Sequence, residues 1–476
     1  MKTQPAPNTR LLILILLLVC QFKLLATGVE ATNSIVYNDG EELYVLLDLK
    51  WKNSWNNVKN HDAIWVFFKS TPSGRNFFIA PSGHTVVKQY DGSPKCTIKL
   101  SKDKIGFFVY VVDKYRGDVN VRLKIRIDKE ALGNFNVYSG TLQIMAIEMV
   151  HIPSASFWLG EADTAKARQY ASFYKSNEAG KHEGLYQISS ENEIRVGKEK
   201  GNLYYASPQA VYNGDQTGII SQAFPKGFSA FYLMKYEISQ GQYATFLNSI
   251  SASQTHHRVN FSGRQYYDLR GTIRFDGKNY LADKPDRPAN FISWDDAMAY
   301  ADWAGLRPYT EMEFEKACRG SAMPMPRSFP WSSESKVNIE RKVNEEGDLV
   351  LANKLNESQL NDGNLEQFAA SHYWVMDLSG SMWERVITIG DERGRSFTGS
   401  HGDGRISEFG FATNKDWPDG ISEKGGYGFR GGGFYNSGRT YGEFNPYSPV
   451  SYRPFASWSG GNRSEAYGSR FARTDE

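Results

Sequence analysis

Short apolar runs at two different periods mark out the chain. Between Asp295 and Ala304, the residues Ala297, Met298, Ala301 and Ala304 fall on one face of a helix. Ser293 stands three positions before Asp296, which is capping-box spacing, and Gly305 marks the stop. Thr310 and Glu313 repeat the box ahead of Met312, Phe314 and Ala317, so two short helices are expected over this stretch. A further helix is predicted over Gln240–Ile250, with Ser239 as N-cap and Tyr243, Phe246, Leu247 and Ile250 on one face. Near the N-terminus the period falls to two. Glu41–Trp51 alternates around Leu43, Val45, Leu47 and Leu49. Ala63–Lys69 (AIWVFFK) is apolar almost throughout, which suits a central strand covered on both faces. Cys96–Leu100, Phe107–Val112 and Val119–Ile127 continue the series between Gly- and Pro-rich turns. Regularly spaced short strands predict a β-sandwich over residues 34–130. Trp51, Trp55 and Trp65 within it read as core, with a sugar-stacking platform as the alternative.

Beyond a polar connector at Asp128–Ser139, Glu148–Gly160 and Phe231–Ile238 are expected as strands of a second domain over 147–476. Asp163–Lys226 is loop-like, with short strands at Gly184–Ile188 and Asn202–Ala206. Thr255–Pro288 reads as irregular and Phe329–Ser371 as polar loop. From Gly399 the Gly-, Ser- and aromatic-rich chain must be held by side-chain hydrogen bonds, packing or ions. The fold class is therefore α+β, a β-sandwich followed by a loop-rich domain. At the extreme N-terminus Lys2 and Arg10 precede the apolar run Leu11–Cys20, and Val29-Glu30-Ala31 offers small residues for a peptidase. This predicts a signal peptide over 1–31 and export to the secreted, periplasmic or outer envelope compartment. A retained anchor and lipidation at Cys20 are the alternatives. No other stretch is apolar enough to cross a membrane, so no span is expected after signal removal.

Composition narrows the functions. A formal net charge of +2 gives no basic field for nucleic acid, and 14% aromatic residues with 44 Gly suit β-rich, turn-rich domains. The chain has three cysteines, Cys20, Cys96 and Cys318. Cys318, in the apolar helical stretch, is expected to be an inert buried thiol.

The wording of several blocks is more specific than their pattern. Ser293-Trp294-Asp295-Asp296-Ala297, Arg307–Glu315 (RPYTEMEFE) and Ala317-Cys318-Arg319-Gly320 occur in order. Around them stand Glu148–Pro153, Phe231–Leu247, Phe329-Pro330-Trp331, Asp377–Glu384 (DLSGSMWE), Arg430–Phe434 (RGGGF) and Gly468–Ala472 (GSRFA). Together they resemble the sulfatase-modifying-factor family, which includes formylglycine-generating enzymes. The N-terminal segment is similar, more weakly, to β-rich modules that precede such domains in bacterial envelope proteins. The resemblance implies a sparsely regular α+β fold related to C-type lectin domains, often with calcium between its loops. One family calcium site surrounds G-N-x-W-E, here Gly380-Ser381-Met382-Trp383-Glu384, so Gly380, Met382 and above all Glu384 are the expected ligands. Ser381 replaces the usual Asn. A second family site uses an Asn after the Pro-Trp block, for which Asn338 and Asn344 both qualify.

Catalysis is where this chain departs from the family. The resemblance implies copper held by two thiolates, because Cu(I) prefers soft sulfur ligands. The corresponding positions are Asn436 and Tyr441, so copper is not expected. The iron branch needs an H-x-x-x-H helix, which is absent. His256 and His257 are adjacent, and His401 with Asp403 is the best remaining metal pair. These departures lead to an expectation of a non-catalytic binding or structural component of the envelope. Its partner would be a protein, peptide or glycan engaged by Tyr435, Tyr441, Tyr447, Tyr452 and Trp458. The alternative is a formylglycine-generating-type oxidoreductase or other metal-dependent enzyme acting on protein or peptide substrates.

Overall fold

In the computed structural model the described residues are 28–71, 73–132, 141–206, 214–259, 261, 264–344, 346, 348–351, 355–420, 425–433, 447–460 and 463–476. The N-terminal part supplies β1 (Val29–Asn38), β2 (Leu43–Asn56), β3 (Asp62–Thr71), β4 (Thr85–Gln89), β5 (Cys96–Leu100), β6 (Gly106–Val111) and β7 (Tyr115–Ile127). One sheet of the sandwich runs β1-β2-β7-β4. Alternation along β2 and β7 turns Leu43, Val45, Leu47 and Leu49 inward with Val121, Leu123 and Ile125. They meet Ile64, Val66 and Phe68 of β3 and Phe107 and Val109 of β6, and close the sandwich core.

The second sheet does not end with the sandwich. The lead into the second domain is a long strand, β8 (Thr141–Ile152), longer than its sequence suggests. It pairs antiparallel with β3 over Asp62–Thr71 on one side and with β9 (Phe231–Met234) on the other. Helices α1 (Gln240–Ser249), α2 (Ala252–Arg258), α3 (Trp294–Trp303) and α4 (Glu311–Arg319) follow, then strands β10 (Trp383–Ile387), β11 (Tyr427–Arg430), β12 (Tyr467–Gly468) and β13 (Ala472–Thr474). The large sheet is thus β13-β9-β8-β3-β6-β5, built from both parts of the chain. This explains the unbroken apolar run of β3. Ile64, Val66 and Phe68 face the sandwich, whereas Ala63, Trp65 and Phe67 face the helices in a second core with Phe246, Ala301 and Trp303. The Trp65 Nε1 donates to the Ala304 carbonyl at 2.9 Å, tying the sandwich to the end of α3. Trp51, Trp55 and Trp65 are all buried, as core requires.

The capped helices form where their local sequence places them. Ser239, Ser293 and Thr310 each complete a capping box, with Gln242, Asp296 and Glu313 respectively, and Gly305 takes a φ of 66° after α3. Thr255–Pro288 and Phe329–Ser371 are more regular than expected. The first holds the end of α2 and a hairpin of Ile273–Phe275 with Tyr280–Ala282, and the second holds a hairpin of Arg341–Val343 with Leu349–Leu351. The glycine-rich C-terminal stretch is held by side-chain hydrogen bonds. Asp302 accepts from the Asp403 and Thr413 amides, and Asp416 from Thr398.

Candidate functional site

The first turns of α4 carry Glu311, Glu313 and Glu315, and all three are buried. Buried carboxylates require partners, and arginines from distant segments supply them. Arg453 grips Glu311 at 2.8 and 3.0 Å. Arg430, at the head of the RGGG run, bridges Glu311 at 3.2 Å and Glu315 at 2.9 Å. Arg307 forks onto Glu313 at 2.6 and 2.9 Å, and Arg319 pairs with Glu315. Burial works to raise the Glu311 carboxyl, but Arg453 and Arg430 outweigh it and hold the group below its ordinary value.

A second set of charges lies behind the expected calcium turn. Glu384 on β10 accepts from Arg470 Nε at 2.6 Å and Nη2 at 2.7 Å, and from the Tyr309 hydroxyl at 2.7 Å. Glu237 lies 3.7 Å from Arg470, and neither of its buried oxygens has a hydrogen-bond partner. Burial pushes its carboxyl up to about 8. Asp377, at the start of the turn, is held by Arg341 Nε at 2.8 and 3.1 Å. Both oxygens of Glu384 are therefore engaged by a guanidinium, and a cation there would meet like charge. The donor set around Glu384 does not fit calcium in this arrangement, and Glu384 is an ion-pair partner instead.

The other expected ligands have local roles. Gly380 takes a φ of 97°, and a Cβ there would fall 2.4 Å from the Tyr447 ring, so only glycine fits the turn. Met382 is fully buried, with its sulfur 3.6 Å from Arg270 Nη1. Asn344 does not join them: its Oδ1 accepts from the Asp348 amide at 2.8 Å and closes a hairpin turn. Asn338 binds Glu366. His401 and Asp403 do not form a pair, because His401 Nε2 accepts from the Thr474 amide at 3.0 Å and Asp403 caps Arg405. Among the described residues no group of three or more His, Cys, Asp or Glu is placed to hold a metal ion. The Cys96 and Cys318 thiols are buried and unpaired, the first pushed up to about 12 and the second well above its ordinary value, each chiefly by burial.

Two of the expected binding aromatics do come together. Tyr452 and Trp458 share one cluster with Tyr170, Trp383, Phe429, Phe455 and Tyr467. Ring centroids lie 5.7 Å apart for Phe429–Trp458, 4.5 Å for Phe429–Tyr467 and 5.6 Å for Trp383–Phe455. Arg385 lies beneath Phe429 at 4.7 Å. Gly433 lies against this cluster, where a Cβ would come within 2.5 Å of the Trp383 ring. Tyr435, Asn436 and Tyr441 follow in sequence and lie outside the described residues. Trp458 is half-buried, whereas Tyr452 is buried. Sequence reasoning missed the arginine partners of α4, since Arg430 and Arg453 are more than a hundred residues from the glutamates they neutralise.

The architecture defines a loop-rich α+β domain in which α4 is fixed by buried arginine–glutamate pairs. Residues 195–474 match the sequence model of the sulfatase-modifying factor enzyme 1-like domain, and the chain belongs to that family. Over 180 residues it is 26% identical to a formylglycine-generating enzyme of Bos taurus, covering 33% of this chain and 48% of that protein. A formylglycine-generating enzyme of Thermomonospora curvata is 31% identical over 105 residues, or 22% of this chain and 34% of that protein. A hercynine oxygenase of Mycobacterium tuberculosis is 29% identical over 117 residues, or 22% and 27%. The chain thus spans about half or less of the length of these curated relatives. No helix among the described residues is long and apolar enough to cross a membrane.

Proposed function

We propose that this chain is an exported, non-catalytic member of the family that binds a protein, peptide or glycan partner in the cell envelope. The supply of sulfur carries the reading. Of its three cysteines, one lies in the N-terminal apolar run and the other two are buried, unpaired thiols with raised pKa values. A thiolate pair for Cu(I) needs two accessible, deprotonated sulfurs, and the family positions carry Asn436 and Tyr441 instead. The aromatic cluster around Tyr452 and Trp458, next to Gly433, supports a binding role, since aromatic faces give large contact area at low entropy cost. The oxidoreductase alternative draws on the relatives, which are named as a generating enzyme and an oxygenase.

Metal analysis of the purified protein, with turnover of a cysteine-containing peptide under oxygen, decides between them. The proposal expects no stoichiometric copper or iron and no aldehyde product. Tightly held copper together with thiol-to-aldehyde conversion would overturn it. The binding role is read by capture of envelope partners, expected to weaken when Trp458 is replaced by Ala.

A further inference from the structure

The turn between β2 and β3, Asn57–His61, reaches from the sandwich onto the loops ahead of β10. It is closed on itself by Asn57, whose Oδ1 accepts from the Lys59 and Asn60 amides. Lys59 at its tip pairs with Asp362 and donates to the His372 carbonyl at 2.8 Å. Asn60 donates to the Tyr373 carbonyl at 2.9 Å and to the His151 carbonyl at 3.2 Å. Trp374 lies at this joint. Its ring centroid is 5.3 Å from that of Trp55, and its Nε1–H donates to Asp362 at 3.0 Å.

A histidine stands on each side of the turn, and both are half-buried, within reach of water. His61 ends the turn in a row of rings from neighbouring strands. Its ring lies 4.5 Å from Tyr110 on β6 and 6.0 Å from Tyr232 on β9. The ring of His151 on β8 is 4.7 Å away and within 5° of parallel. The His61 Nδ1–H donates to the Asp62 carbonyl at 3.0 Å, which leaves Nε2 to take a proton. Asp475, the acid facing this row from beyond β13, is already shared by His151 at 3.2 Å and by Lys99 on β5. His372 packs edge-on against Tyr373 at 4.7 Å. Lys59 and Lys316 oppose a proton on it, and Asp362, which favours one, is held by Lys59. A second proton on the His61–His151 pair, or one on His372, therefore sets positive charge beside positive charge at the joint.

We infer that the Asn57–His61 turn is an acid-released latch: protonation of His61 and His372 frees it from the Asp362–Trp374 loop, while the sheet that joins the two parts through β3 and β8 stays paired. Burial, with His151 beside one ring and Lys59 beside the other, holds both imidazoles down to about 4, below the ordinary 6.5. Both values are depressed in the docked state, so docking is favoured above about pH 6.5 and weakens as pH falls toward 4. From pH 7 to pH 5 each histidine shifts the docked-to-free ratio roughly twentyfold. Asp62 and Glu148, buried behind the turn, are raised to about 6 and about 7 chiefly by burial and favour the docked state in acid. The latch is therefore read as the difference that the two histidines make.

The full-length protein, labelled with ¹⁵N-tryptophan, tests it through the Trp374 indole resonance, assigned with Trp374→Phe. Between pH 7.5 and pH 4.5 that signal should give way to a solvent-exposed position, the docked-to-free ratio falling at least tenfold. The indoles of Trp65 and Trp303, in the helical core, should keep their folded positions throughout. His61→Phe, which keeps a ring in the row but takes no proton, combined with His372→Gln should hold the docked signal across the range. Lys59→Met, which removes one ion pair and one hydrogen bond at the tip of the turn, should show the free signal already at pH 7.5. Four results would each overturn the inference. They are a wild-type Trp374 signal unmoved down to pH 4.5, its loss in one step with Trp65 and Trp303, a double variant that releases like the wild type, and a Lys59→Met variant that stays docked throughout.

Discussion

Replacing Glu384 by Ala separates an ion-pair role from a cation-binding one. The structure gives Glu384 two short contacts to Arg470 and one to Tyr309, with the carboxylate and guanidinium both 0% exposed. Removing the carboxylate leaves a buried guanidinium whose next acid, Glu237, is 3.7 Å away. Breaking one side of such a pair costs about 3–5 kcal/mol, part of it the stranded Tyr309 hydroxyl. Replacing both charges, as Glu384→Leu with Arg470→Met, should recover much of that loss, since apolar substitutes for a buried pair are often neutral or better. Urea denaturation followed by tryptophan fluorescence reads both variants against the wild type. The same midpoints measured in chelator and in excess calcium complete the experiment. A divalent ion bound at this turn would stabilise the native state by about 2.7 kcal/mol at roughly 100 times its Kd. The ion-pair reading expects no calcium-dependent shift in the wild type. A Glu384→Ala variant within about 1 kcal/mol of wild type would refute it, because surface-like changes fall in that range. So would a calcium-dependent gain present in the wild type and lost in the variant.

Other predictions follow from the same buried groups. Burial raises Glu237 to about 8 and Glu148 to about 7, so their folded-state values lie above the unfolded ones. The stability they contribute is full below about pH 4.5 and is lost as pH rises through 7 to 8. Glu237→Gln should therefore be near neutral at pH 5 and stabilising by a few kcal/mol, an order-of-magnitude figure, at pH 9, read from urea midpoints at both pH values. Trp65→Phe should cost about 1–3 kcal/mol by stranding the Ala304 carbonyl, with sandwich and helical domain losing stability together in differential scanning calorimetry. Val29 is buried and pairs with Trp51, and Ala31 pairs with Leu49, so cleavage after Ala31 would strip the start of β1. On the proposed export, intact mass of the mature protein should place its N-terminus at or before Gly28.

Helix starts were legible because a capping box is a local object: Ser293 with Asp296, and Thr310 with Glu313, need only three residues of spacing. The double-sided burial of β3 was legible for a similar reason, since AIWVFFK leaves no polar face. The hairpin at Ile273–Phe275 and Tyr280–Ala282 had a signal that went unread, Asp276-Gly277 between two short apolar runs. The charge lattice left no local trace. Glu384 and Arg470 are 86 positions apart, and nothing in DLSGSMWE distinguishes a metal ligand from an arginine partner until the fold brings GSRFA beside it. The aromatics were read by type, which could not show that Tyr447 packs beside Trp331 in another core, or that Tyr452 is packed inside the cluster it shares with Trp458.

The connector at Asp128–Ser139 separates the sandwich from the second domain in sequence, but β8, which follows it, joins the two parts in one sheet. The family match begins at residue 195, after β8, while the sheet that the domain closes with β9 and β13 continues through β8 into β3, β6 and β5. Ladder hydrogen bonds along β8 therefore have one partner on each side of the apparent boundary. The helical core draws Trp65, Phe67 and Phe108 from the sandwich strands, and Asn76 and Lys69 hold the Asp403–Gly404 backbone of the glycine-rich segment. A module attached only through a flexible linker would leave these backbone and apolar groups exposed. The sandwich here is instead one wall of the domain.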